Sequence, residues 1–206
     1  MGHSQAEKAE SRERILEATA QQIREGGFDR VSIGELMKSA HLTHGGFYCH
    51  FRSRSALIAA ALGRALDRGE AAFGAAPAKT PGSVKSIVNR YLNTAHRDDT
   101  SGGCAIAALA ADVGRSDDEE IRQQMAERVE LSFDRMAKAM GDGDAAADAA
   151  VTAWCAMIGA VVLSRVFRGQ KRSDEILKQV RRSVLDLETR LRDQTDTAIG
   201  APLDQR

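Results

Sequence analysis

Ser32-Ile33-Gly34-Glu35-Leu36-Met37-Lys38-Ser39-Ala40-His41-Leu42-Thr43-His44-Gly45-Gly46-Phe47-Tyr48-Cys49-His50-Phe51 is the stretch whose reading decides the fold. Ser32 has the chemistry of an N-cap, and Glu35 three residues on completes a capping box. Val31 before the cap and Leu36 after it are placed to form a hydrophobic staple. A short helix from Ile33 to Ala40 follows, burying Ile33, Leu36 and Met37. His41, Leu42 and Thr43 then make a tight turn, and Thr43 is a second N-cap that opens another short helix at His44. Helix, tight turn and helix in this order form a helix-turn-helix. Phe47 and Phe51, four apart, anchor the second helix with help from Leu42. His44, Gly45, Gly46, Tyr48 and His50 are left on its open face. Glycines there let a backbone approach DNA closely, and Tyr48 and the histidines can donate to phosphates or base edges.

The flanks agree with this reading. Upstream, Ile15, Leu16, Thr19, Ala20 and Ile23 share one face of a helix from about Lys8 to Glu25, and Gly26-Gly27 ends it before Phe28, an apolar plug. Downstream, Ser53 caps a helix from Arg54 to about Phe73. The chain carries no net charge, with 29 basic and 29 acidic side chains. From Leu36 to Leu66, however, it has no Asp or Glu, while Lys38, Arg52, Arg54 and Arg64 fall inside with His41, His44 and His50. A phosphate footprint needs only such a local basic patch.

Ser32-Ile33-Gly34-Glu35-Leu36, Thr43 through Phe51 and Ser53-Arg54-Ser55-Ala56-Leu57 together resemble the DNA-binding domain of TetR/AcrR-family transcriptional regulators, over about residues 10–71. The resemblance implies a homodimeric regulator, usually a repressor, that binds a palindromic operator and leaves it when a small molecule enters a C-terminal domain. It places Thr43, His44, Gly45, Gly46, Tyr48 and His50 on the DNA-contacting helix, and matches Ser32 and Arg54 to phosphate-contacting positions. Two positions depart from the family pattern. His41 stands where the turn usually has glycine, a left-handed conformation that His tolerates better than most residues. Arg54 stands where lysine is common, and keeps the charge.

Rival chemistries are poorly served by the same residues. His41, His44, Cys49 and His50 are rich in metal ligands, but His44 and Cys49 do not share a helix face well. No nucleophile elbow or comparable catalytic constellation occurs, so neither an enzyme nor a bound cofactor is expected. Three cysteines, Cys49, Cys104 and Cys155, with wide spacing and no CxxC suit a reducing cytoplasm rather than a disulfide framework. The apolar run 145–163 is interrupted by Asp148 and Thr152 and reads as a buried helix, not a membrane span.

The expected fold is all-α: an N-terminal three-helix DNA-binding domain over 8–72, a helical effector-binding and dimerisation domain over 80–193, and a disordered tail over 194–206. Residues 75–82, with Pro77 and Pro81, form the linker. Thr80-Pro81 is expected to open a helix reaching His96. Next come a short apolar helix from Cys104 to Val113, and a helix to Met140 opened by a Ser116/Glu119 capping box. Two long helices follow, 144–167 and 173–192. Their apolar positions include Trp154, Ile158, Val161 and Val162 on the first and Val180, Val184 and Leu187 on the second. Doubled by symmetry, these would form a four-helix dimer interface.

A pocket is expected to draw on Leu92, His96, Cys104, Ala108, Phe133, Met136, Trp154 and Met157. With few charges turned inward, it suits an apolar or aromatic effector. Gly102-Gly103-Cys104 through Leu109 resembles a segment in a subset of the same family, some members of which sense electrophiles through a cysteine there. At the start of a helix, a thiolate on Cys104 would be favoured by the helix dipole.

Overall fold

The computed structural model describes residues 5–40, 42–73 and 82–200, with the side chains of 44, 70–73 and 195–200 left out. His41, Thr80, Pro81 and the segment from 201 onward, each given a role above, lie outside the described residues. The described residues contain helices and no strand. In order they are α1 (Gln5–Gly26), α2 (Ile33–Ser39), α3 (Arg54–Phe73), α4 (Val84–Tyr91), α5 (Thr94–Asp98), α6 (Ala105–Gly114), α7 (Glu119–Met140), α8 (Asp144–Val166) and α9 (Lys171–Gly200), with 3-10 segments at Phe28–Arg30 and His44–Cys49.

The chain forms two compact units, one of residues 1–72 and 99–128, the other of 73–98 and 129–206. The first unit therefore takes in α6 and the start of α7, which the expected division at 72–80 assigned to the C-terminal domain. The reason is side-chain chemistry between distant segments. Asp112 accepts from the Phe28 N–H, Asp118 accepts from the Ser55 hydroxyl, and Arg128 pairs with Asp67 at 2.7 Å. Ile15, Ile23, Leu36, Met37, Phe47, Leu57, Leu62 and Leu109 are almost fully buried in this unit.

In the second unit α8 and α9 pack on each other, and α4 packs on α9. Tyr91, Leu92, Met136 and Met157 are fully buried there. Helix α8 is long and apolar enough to cross a membrane by length and composition, yet 44% of its most apolar window is buried inside the fold. One side of it, with Ala150, Ala153, Met157, Ala160 and Val161, is buried in this unit.

Several local expectations change. The helix expected to reach His96 breaks at Leu92, and Asn93 Oδ1 accepts from the His96 N–H at 2.9 Å to start α5. Helix α4 is capped by Ser83, whose hydroxyl accepts from the Ser86 N–H. The cap of α7 is Asp118 rather than Ser116: its carboxylate accepts from the N–H groups of Glu120 and Ile121 at 3.0 and 3.4 Å. A carboxylate suits the positive end of a helix better than a hydroxyl. Finally, α9 runs to Gly200, so residues 194–200 are helical rather than disordered. Thr195-Asp196-Thr197-Ala198-Ile199 contains no helix breaker, and the next proline is Pro202.

Candidate nucleic-acid interface

The first half of the motif forms as its residues dictate. Ser32 is extended, and its hydroxyl accepts from the Glu35 N–H at 3.4 Å. Val31 and Leu36 are buried on either side of it. Leu42 N–H donates to the Met37 carbonyl at 2.8 Å and closes the turn after α2.

The second half corrects the expected α-helix. His44–Cys49 is a 3-10 segment, and Thr43, in the cap position, makes no side-chain cap hydrogen bond. Two consecutive glycines explain this, because each costs about 1 kcal/mol in an α-helix relative to Ala. The tighter Gly46 N–H to Thr43 carbonyl bond, 2.9 Å, forms instead. Neither glycine is required by packing. A Cβ at Gly45 would meet nothing within 4 Å, and one at Gly46 would touch only Thr43 Oγ1 and Met37 Cε at ordinary distances.

Phe47 and Phe51 are the anchors, 1% and 4% exposed, with ring centroids 5.9 Å apart. Between them Tyr48 points outward with 68% of its surface exposed. Thr43, Gly45 and Cys49 are exposed, and Ser32, Gly46 and His50 are half-buried. The His44 side chain lies outside the described set. His50 Nδ1 is buried with no hydrogen-bond partner, and burial, then the nearby charges of Lys8 and Arg12, hold its pKa below the usual histidine value. Lys8 and Arg12 were missed by the sequence reading. They lie four apart on α1, both exposed, and the Arg12 guanidinium sits 4.9 Å from the centre of the Phe51 ring.

The three arginines of the acid-free stretch are answered by distant residues. Arg64 pairs with Glu13, and Arg52 lies 3.8 Å from Glu120. Arg54, matched by resemblance to a phosphate-contacting position, spends two of its donors inside the fold: Nη2 on the Phe28 carbonyl at 2.6 Å and Nε on the Val31 carbonyl at 3.2 Å.

Residues 15–61 match the family described as bacterial regulatory proteins, tetR family. An uncharacterised HTH-type transcriptional regulator of Mycobacterium tuberculosis is 27% identical over 183 residues, which is 84% of this chain and 94% of the relative. The uncharacterised HTH-type transcriptional regulator YvdT of Bacillus subtilis is 44% identical over 48 residues, 23% of this chain and 25% of its own. Over its helix-turn-helix segment the chain is thus similar to the tetR family of regulators. It is a DNA-binding transcriptional regulator. Its fold is similar to that of the reduced form of Escherichia coli NemR, with a TM-score of 0.63 at 23% identity over 83% of this chain and 95% of that one.

The regulator's second unit rearranges the expected pocket and interface. Leu92, His96, Met136, Trp154 and Met157 are buried in this unit, and Phe133 is half-buried. Tyr91, not anticipated, joins two of them, its ring 4.5 Å from His96 and 5.0 Å from Trp154. His96 Nδ1 lies 2.7 Å from the Tyr91 carbonyl. The Trp154 indole N–H is buried without an acceptor. Cys104 and Ala108 belong to the first unit, where Cys104 is buried in the N-cap position of α6 without a side-chain cap bond and Ala108 is half-buried.

Of the expected interface residues, Trp154, Val161 and Val184 are 7%, 0% and 2% exposed and so face their own core. Ile158, Val180 and Leu187 are half-buried. Val162 is exposed, and with Val151, Cys155 and Val166 it lines the outer face of α8, beside exposed Leu163. A helix apolar all round does not declare which face meets its neighbour. Among the described residues no three His, Cys, Asp or Glu side chains are grouped to hold a metal ion.

Proposed function

We propose that this regulator reads its operator with the 44–49 segment, acts as a repressor, works as a homodimer and is released by a small apolar or aromatic effector. The observation that carries the reading is the 3-10 segment itself. Phe47 and Phe51 fix it from below, while Tyr48 is presented 68% exposed above two glycines that packing does not require. A backbone so stripped suits close approach to a phosphate or a base edge. Thr43, His44, Gly45, Gly46, Tyr48 and His50 are the reading set, with Ser32 and the remaining Arg54 donors toward phosphate. Lys8 and Arg12 extend the basic rim from α1. A protein with this task works in the bacterial cytoplasm.

Dimerisation is assigned to the outer face of α8, from Val151 through Cys155 and Val162 to Val166, where large apolar groups stand exposed. In a two-fold dimer this face would meet its own copy. The effector is assigned to the aromatic cluster of Tyr91, His96 and Trp154. A buried indole N–H without an acceptor costs free energy, and an effector carrying a carbonyl or ether oxygen would satisfy it.

The test is selection of bound duplexes from random-sequence and genomic DNA. A palindromic site is expected, with affinity falling steeply as salt rises because phosphate contacts release counterions. Tyr48→Ala should weaken binding about tenfold or more at unchanged thermal stability. No enriched duplex in either library, or undiminished binding by Tyr48→Ala, refutes this assignment.

A further inference from the structure

The last turn of α6 and the link to α7 grip the DNA-reading module at both of its ends. At the first end, Gly27 closes α1 with φ +77, and a Cβ placed there would come within 2.8 Å of Asp112 Oδ1. Only glycine suits that backbone and leaves room for the carboxylate. The same oxygen accepts from the Phe28 N–H at 3.4 Å, while the Phe28 carbonyl accepts from Arg54. The peptide that leads into α2 is thus held on one side by α6 and on the other by α3. At the second end, Asp118 accepts from the Ser55 hydroxyl in the first turn of α3. That hydrogen bond is the largest cause of the depressed pKa of Asp118.

Neither grip is needed to start a helix. Ser32 caps α2, and Ser53 caps α3 by accepting from the Ala56 N–H at 3.0 Å. The Ser55–Asp118 contact is exposed, where polar pairs add little stability. What the two contacts share is their origin, six residues apart in the last turn of α6 and the link that follows it, and their targets on either side of α2 and the 44–49 segment. All of these residues lie within the first compact unit.

We propose that Asp112 and the Asp118–Ser55 pair are positioning groups for DNA reading: from the end of α6 and the link to α7 they set the angle at which the 44–49 segment is presented to the duplex. The inference rests on the reading role given to that segment. A positioning group controls discrimination between DNA sequences more than attraction to DNA in general. Non-specific binding depends on total phosphate neutralisation, whereas specific binding needs the segment in register with base edges.

The experiment compares the full-length protein with Asp112→Ala, Asp112→Asn and Ser55→Ala. Each is measured on the duplex that the wild type enriches from random DNA and on an unrelated duplex of the same length. The reading role fails if the wild type enriches nothing; the present inference is decided by the variants. Asp112→Ala should lower the ratio of specific to non-specific affinity roughly tenfold, the worth of a charge-assisted hydrogen bond. Asp112→Asn, whose amide oxygen still accepts from Phe28, should keep the ratio within about threefold. Ser55→Ala, which leaves the cap of α7 intact, should lower it about threefold. It serves as the test even if Asp112→Ala does not fold. An equal fall on both duplexes would mean mere loss of folded protein and would overturn the proposal. So would a ratio unchanged in Ser55→Ala, or an Asp112→Asn variant as impaired as Asp112→Ala.

Discussion

Replacing Arg54 separates two roles, one implied by the family resemblance and one found in the fold. By resemblance it contacts DNA phosphate, yet its guanidinium also bridges the Phe28 and Val31 carbonyls, at 2.6 and 3.2 Å. Each bond comes from a charged donor, worth about 1.5–3 kcal/mol where water is excluded. Arg54 is exposed, however, so water can take over at both carbonyls once the side chain is gone. A net loss of about 1–2 kcal/mol for Arg54→Ala follows. With a slope of roughly 2 kcal/mol/M, this moves the urea midpoint down by about 0.5–1 M with the slope unchanged. Arg54→Lys decides between the roles. A lysine retains the charge for a phosphate but cannot bridge two carbonyls with a planar fork. Arg54→Lys should therefore keep most of the operator affinity that Arg54→Ala loses, while recovering less than half of the lost stability. Urea unfolding by circular dichroism and a binding isotherm on the selected duplex give both numbers. A wild-type midpoint in Arg54→Lys, or in Arg54→Ala, would refute the clamp.

Two further outcomes follow from burial and charge. Val162→Glu with Val166→Glu should give folded monomers by sedimentation that no longer hold a palindromic site, whereas Val161→Glu, placed in the core, should unfold the second unit; stable dimers from the first pair would put the interface elsewhere. His50 has its pKa lowered in the fold, chiefly by burial, so below the ordinary value of 6.5 the unfolded chain takes up a proton that the folded chain resists. Its contribution is complete above that value and is lost as pH falls below it, so between pH 7.5 and 5.5 the wild type should lose more stability in urea unfolding than His50→Gln, and equal losses would sink the assignment.

The sequence by itself determined the class of protein and the position of its helix-turn-helix motif, because those depend on neighbours in the chain. The Ser32 cap, the Phe47 and Phe51 anchors and the exposed Tyr48 are consequences of spacing, and each holds in three dimensions. Even the departure from an α-helix at 44–49 has its cause in the local pair Gly45-Gly46. Only the tertiary structure decided how charges and faces are used. Arg52, Arg54 and Arg64 look like one basic patch in a segment free of acids, until Glu120, the Phe28 and Val31 carbonyls and Glu13 arrive from elsewhere. On α8, apolar on nearly every side, periodicity cannot separate Val161 from Val162; packing against α9 and the rest of the unit buries one and leaves the other exposed. The unit boundary was illegible for the same reason. Asp112 and Asp118 belong with the DNA-reading module through hydrogen bonds to residues 84 and 63 positions away. Local propensity acts over a few residues and is written in order along the chain, whereas burial and ion pairing depend on which distant surfaces the fold brings together.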